Sequence, residues 1–210
     1  MTKYFVIGFN KTGTTSINYL FKSLKINSTH STIPVLENIN NYDAFTDGDH
    51  KYFEKYYEKY PDSIFILNTR PLNSWLISRY KHAEKYNFDE NCWCWPVSNE
   101  LTKKWISDRE RHYKKILNFF TDKPKQLLIV NIENEGYENV IKNFIGKKDN
   151  IDIIKSKKNV RRDEKIKHIK DITANVFQCL KKLNYKYNET LLKDKNLNKK
   201  YLKLYKNNIL

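Results

Sequence analysis

Apolar residues in this chain come in short runs that alternate with stretches of helical period. Tyr4-Phe5-Val6-Ile7 is an apolar run of strand length. Ile17, Leu20, Phe21 and Leu24 then fall at i, i+3, i+4 and i+7, one face of a helix that Thr14-Thr15-Ser16 can open. Residues 25–41 are polar and irregular, apart from a short helical stretch around Pro34 to Ile39. Residues 42–47 predict a second strand ended by Gly48, and residues 52–60 an aromatic helix stopped by Pro61-Asp62. Ile64 to Thr69 is the clearest strand; Pro71 suits the first turn of a helix whose apolar face is Trp75, Leu76, Tyr80 and Ala83. Residues 101–120 predict a long charged helix buried through Trp105, Tyr113, Ile116 and Leu117. A strand at 126–131 and a short helix at 136–144, ending at Gly146, follow it. Alternating strands and helices predict an α/β fold with three layers, α/β/α. Its central parallel sheet has four or five strands, with the Tyr4–Ile7 strand central and the Ile64–Thr69 strand beside or near it.

The joint between the first strand and the first helix carries chemistry. Gly8 and Gly13 have four residues between them, in Gly8-Phe9-Asn10-Lys11-Thr12-Gly13-Thr14-Thr15-Ser16. A strand, a glycine loop and a helix N-terminus aim several backbone N–H groups at one spot, which suits a phosphate. Such loops also occur as plain connectors. The ATPase pattern G-x-x-x-x-G-K-[ST] fails at one position, because Thr14 follows Gly13 where lysine is required; the nearby lysine, Lys11, lies inside the loop. The cradle is kept and the charge is moved.

Asn10-Lys11-Thr12-Gly13-Thr14-Thr15-Ser16 resembles the 5′-phosphosulfate-binding loop of sulfotransferases. That loop usually reads Pro-(Lys/Arg)-(Ser/Thr)-Gly-Thr-Thr; Asn10 stands here in place of the proline. A second feature agrees: Arg70 ends the third predicted strand, and Ser78 follows eight residues later, two turns into the next helix. This is similar to the family's 3′-phosphate site, where an arginine fork takes phosphate oxygens and a hydroxyl completes the shell. Taken singly, Arg70 reads as a strand-end surface charge and Ser78 as an exposed helix hydroxyl. Residues 42–78 and 113–146 also resemble the subfamily with a (Lys/Arg)-(Thr/Ser)-Gly-Thr loop. The likeness covers roughly residues 1–165, a sulfotransferase-like domain, with basic C-terminal helices over 166–210 packed on it.

The resemblance implies a fold like that of P-loop nucleoside-triphosphate hydrolases. It implies transfer of a sulfuryl group from 3′-phosphoadenosine 5′-phosphosulfate to an acceptor hydroxyl or amine, without metal. Lys11 would neutralise the bridging oxygen, and Thr12, Gly13, Thr14, Thr15 and Ser16 would hold the 5′-phosphate. Arg70 and Ser78 would hold the 3′-phosphate, and Arg161 and Arg162, in a late basic loop, would close over it. The family places its proton acceptor after the second strand, where this chain has Asp47, with Asp49 where a proline often stands; His30 also falls at a position where the subfamily often has histidine. The order of candidates is Asp47, His30, His50. Asp47 reads equally as a turn-forming residue before Gly48, and an ordinary aspartate, with pKa near ~3.9, is a weak base.

Composition narrows the alternatives. The chain has 210 residues, room for one domain with a core, and 14% aromatics. Its net charge is +15, most of it beyond Lys147, which suggests anionic partners: nucleic acid, anionic lipid or an anionic cofactor. A lysine-rich terminal helix, as expected at 191–210, also reads as a solvated face. Residues 163–183 predict a further helix. Cys92, Cys94 and Cys179 fit reduced thiols and are too few for a metal site. The excursion at 87–98, with Trp93 and Trp95, is either a lid over an acceptor pocket or a loop packed on the body. No signal peptide and no ~20-residue apolar window is found, so a cytoplasmic protein without a membrane span is expected. Two rival functions remain: a P-loop kinase or NTPase, and a basic nucleic-acid-binding protein. The first lacks the Walker lysine, and no nucleic-acid motif supports the second. Acceptor identity and oligomeric state stay open.

Overall fold

The computed structural model describes residues 2–31, 35–47, 50–85 and 98–147, together with 172, 174, 176, 178, 180 and 181. Gly48, Asp49, Pro34, Arg161 and Arg162 lie outside the described residues, as do 86–97 of the tryptophan excursion, its cysteines, Cys179, and nearly all of the segment beyond 147.

Five parallel strands form one sheet. They are β1 (Tyr4–Val6), β2 (Ser28–Thr29), β3 (Ala44–Phe45), β4 (Ile64–Thr69) and β5 (Leu127–Asn131). Their order is β2-β3-β1-β4-β5, so β1 is central and β4 pairs directly with it, as the sequence predicts. From β1 the chain runs to the sheet edge at β2, steps inward to β3, then crosses to the other side of β1 with β4. The point of reversal lies at β1, and open parallel sheets bind ligands outside the carboxyl ends of strands at such a switch point.

The helices are α1 (Thr14–Ser23), α2 (Phe53–Lys59), α3 (Leu72–Lys85), α4 (Asn99–Phe119) and α5 (Tyr137–Phe144). Strand residues alternate between two layers because side chains alternate across a sheet. Phe5, Ile7, Phe65, Leu67, Leu127 and Ile129 pack against α2 and α4; Val6, Ile66 and Val130 pack against α1 and α5. Phe5 is stacked within 5.0–5.6 Å of Phe45, Tyr56 and Phe65. A third cluster, Leu72, Trp75, Leu76, Trp105 and Ile106, joins α3 to α4, with Val176 packed into it. Helix α4 starts two residues earlier than the apolar pattern suggests, because the Ser98 side chain caps it by accepting from the Leu101 N–H at 3.1 Å.

Strand β2 departs from the sequence reading, which leaves residues 25–41 irregular. It is two residues long, polar, and at the sheet edge. It is held by main-chain pairing to β3 and by the Ser28 hydroxyl, which donates to the Asn18 carbonyl at 3.3 Å. No hydrophobic alternation marks such a strand. The predicted strand at 42–47 shortens to Ala44–Phe45, and the helical stretch near 34–39 is a single 3-10 turn at Val35–Glu37.

Candidate active site

The carboxyl ends of all five strands carry the residues of interest: Gly8 after β1, His30 after β2, Thr46 and Asp47 after β3, Arg70 after β4, and Ile132 and Glu133 after β5. The loop from Gly8 to Gly13 lies at the centre. Gly8 is required because a Cβ there would overlap the backbone carbonyl and side chain of Asn68. Gly13 has φ +90°, and a Cβ would strike Ile132. Lys11 has φ 64°, a left-handed conformation that a side-chain-bearing residue rarely adopts.

One buried side chain shapes this loop. Asn68 accepts from the Gly8 N–H at 2.9 Å and donates through Nδ2 to the Thr12 carbonyl at 2.9 Å and Thr12 Oγ1 at 2.8 Å. Thr12 Oγ1 in turn donates to the Phe9 carbonyl. Thr12 is fully buried, so its hydroxyl serves the loop's own shape. Asn68→Ala would leave the buried Gly8 N–H and Thr12 carbonyl without that partner, at ~1–3 kcal/mol for each. We expect ~2–6 kcal/mol loss of stability, measurable by chemical denaturation.

Helix α1 opens from this loop. Gly13 is its N-cap without a side-chain bond, and no acidic residue stands in the first turn. The first-turn N–H groups of a helix have no intrahelical acceptor, so they and the positive end of the dipole are available to an anion. Thr14 and Thr15 open the helix. Ser16 is hydrogen-bonded to Tyr137 of α5, whose phenol is pushed up to about 12 by burial and by Glu138.

Asn10, the departure from the family's proline, is clamped from α3. Trp75 Nε1 donates to its carbonyl at 2.8 Å, and Arg79 donates to its side-chain oxygen. Arg79 is buried, with its guanidinium 4.4 Å from the Trp105 ring. Burial pushes it down to about 9 against the pull of Asp108, so it stays cationic at neutral pH. Arg109, also buried, lies 4.8 Å from the other tryptophan ring, Trp75, and donates to the Arg70 carbonyl. One buried guanidinium group, that of Arg79, thus holds the loop at Asn10, and a second, that of Arg109, holds the backbone at Arg70.

His30 and Asp47 meet. His30 Nε2 is 3.0 Å from Thr15 Oγ1 and 3.5 Å from Asp47 Oδ2; Nδ1 is 3.3 Å from Thr46 Oγ1. The Thr46 hydroxyl donates its one proton to the Thr29 carbonyl at 3.0 Å, so it accepts from Nδ1–H. That assignment leaves Nε2 of His30 facing Thr15 and Asp47. Sequence reasoning puts Asp47 ahead of His30; this geometry makes them one unit, with the imidazole next to the loop.

On the other side of β1, Arg70 Nε donates to Glu133 Oε1 at 2.6 Å. Ser78 is half-buried on α3, beside Arg79. His50, the third candidate base, lies instead against Phe9 and His112, with ring centroids at 5.3 and 4.9 Å. His112 donates to the Ile7 carbonyl at 2.7 Å; burial, with His50 next, pushes it down to about 3, so it is neutral. Among the described residues no group of three or more His, Cys, Asp or Glu is arranged to hold a metal ion, and no helix is long and apolar enough to cross a membrane.

Asn68, Thr46, Arg79, Arg109, His112 and Glu133 escape the sequence reading. A signal exists for three of them. Arg79 stands four residues after Trp75, Arg109 four after Trp105, and His112 four before Ile116: polar groups at core-facing helical positions. Asn68 sits in an apolar strand where nothing local marks its role.

A family model described as a sulfotransferase domain matches residues 35–151, more than half of the chain. The matched span contains Asp47, Arg70 and Ser78, and leaves the Gly8–Ser16 loop and His30 on its N-terminal side. A comparison with curated proteins returned no match.

Proposed function

The chain belongs to the sulfotransferase-domain family, and from that premise we propose that it transfers a sulfuryl group from 3′-phosphoadenosine 5′-phosphosulfate to an acceptor hydroxyl or amine. The observation that carries this reading is the loop: left-handed Lys11 and Gly13 at the uncapped, acid-free N-terminus of α1, with Arg70 at the end of the neighbouring strand. One anion site with backbone donors and a second, arginine-based one suit a nucleotide with phosphate on both its 5′ and 3′ positions.

In this reading Lys11, the first-turn N–H groups, that of Thr15 among them, and the Thr14 hydroxyl hold the 5′-phosphosulfate. Thr12, Gly13 and Ser16 keep the cradle in shape. Arg70 takes the 3′-phosphate, with Ser78 completing it and Arg161 and Arg162 as further basic partners. The acceptor oxygen or nitrogen attacks sulfur in line; its bond to sulfur forms as the bond from sulfur to the bridging oxygen breaks. His30 Nε2 takes the acceptor's proton, and Asp47 faces the imidazolium so formed. Adenosine 3′,5′-bisphosphate leaves, its developing charge met by Lys11. Lys11, His30 and Asp47 are thus the catalytic set, and no metal takes part.

Thermal shift with three ligands tests the reading. Adenosine 3′,5′-bisphosphate at one hundred times its Kd should stabilise the protein by ~2.7 kcal/mol, without Mg²⁺. ATP with Mg²⁺ and a DNA oligonucleotide should do much less. Arg70→Ala should erase the preference for the bisphosphate over adenosine 5′-phosphate. A stronger response to ATP–Mg²⁺ would point to a kinase or NTPase, and one to DNA to a nucleic-acid-binding protein.

A further inference from the structure

We propose that Glu133 is a positioning residue for phosphate recognition: it holds Arg70 by Nε so that the terminal Nη1 and Nη2 pair is presented to the 3′-phosphate. The inference rests on the reading of Arg70 given above.

The contact is one-sided. Arg70 Nε donates to Glu133 Oε1 at 2.6 Å, and the described residues provide no other partner for the guanidinium. A carboxylate that took the terminal pair would use up the fork that matches a phosphate; one that takes Nε leaves the fork intact. Arg70 is also fixed at its other end, where the buried Arg109 donates to its carbonyl. Glu133 is itself well anchored. Its N–H donates to the side-chain oxygen of buried Asn131 at 3.0 Å, and the preceding Ile132 N–H donates to the Thr69 carbonyl at 3.2 Å. The carboxylate therefore stands on the end of β5, and Ile132, one residue before it, is the residue that a Cβ on Gly13 would strike. The phosphate loop and the Arg70 support are built from the same short turn.

The pair earns little as a stabilising element. Both side chains are about a third exposed, 28% and 33%, and ion pairs so wetted contribute ~0–1 kcal/mol. Its use is conformational: an arginine carries large rotamer freedom, and holding it before the ligand arrives removes that cost from binding.

The test measures affinity of the full chain for adenosine 3′,5′-bisphosphate and for adenosine 5′-phosphate by calorimetry. Glu133→Ala should weaken the bisphosphate roughly three- to tenfold, the worth of one immobilised long side chain, and leave the 5′-phosphate unchanged. Glu133→Gln keeps an oxygen for Nε and should restore most of the wild-type affinity. Tightening in both variants would mean that the carboxylate competes with the phosphate, and would overturn the proposal. Equal changes for the two ligands, or no change, would overturn it as well. Arg70→Ala separates the levels: if it leaves the discrimination intact, the reading of Arg70 itself falls. If it abolishes discrimination while Glu133→Ala leaves discrimination at the wild-type level, only the role of Glu133 falls.

Discussion

His30→Ala should reduce turnover by about 10²–10⁴-fold, the usual contribution of a general base, while adenosine 3′,5′-bisphosphate binds nearly as before. The imidazole is the part of its cluster that touches the loop, through Thr15 at 3.0 Å, and the Thr46–Thr29 bond fixes which nitrogen is bare. Asp47 is the partner beside it, at 3.5 Å from the same nitrogen. Asp47→Asn should therefore cost less, and the double variant should be little worse than His30→Ala, because groups acting as a unit are not additive. Release of adenosine 3′,5′-bisphosphate in the presence of a panel of hydroxyl and amine acceptors gives the readout. A larger loss in Asp47→Asn than in His30→Ala would return the role to the aspartate.

The fold was legible because its signals are local. The apolar runs at β1, β4 and β5 and the helical stripe of α1 need no tertiary knowledge, and the glycine spacing announces the loop. The parts that were not legible are those made by distant pairs. Asn68 closes on Gly8 and Thr12 across some sixty residues of sequence; its function is visible only once β4 lies beside β1. The two polar residues of β2 become a strand only because β3 offers an edge. The tautomer of His30 could not be read either, since it depends on a hydroxyl, Thr46, whose proton is committed elsewhere. Asn10 stands where the family's loop usually has proline. Its carbonyl and its side chain are both held by α3, so rigidity that a ring would supply is supplied by Trp75 and Arg79 instead.

The two left-handed lysines stand in different settings. Lys11 has φ 64° in the loop between Gly8 and Gly13; Lys25 has φ 56° just after α1. At Lys25 the cause is plain: Ile26 N–H donates to the Phe21 carbonyl at 2.9 Å and Lys25 N–H to the Lys22 carbonyl at 3.0 Å, a Schellman ending that glycine fills best. A left-handed conformation costs a non-glycine residue ~1–2 kcal/mol, offset in part by the greater unfolded-state freedom of glycine. Lys25→Gly should therefore gain up to ~1 kcal/mol in chemical denaturation with turnover unchanged. Lys11→Gly should gain a similar amount of stability, since its backbone needs the same relief, yet lose about 10²–10³-fold in turnover, the range expected on removing one group that meets charge developing in the transition state. Lys11→Arg, which keeps the charge but not the relief, should retain most of the rate and none of the extra stability. If Lys11→Gly is both stable and active, the loop lysine does not meet the leaving group's charge, and that charge must be met from elsewhere in the site.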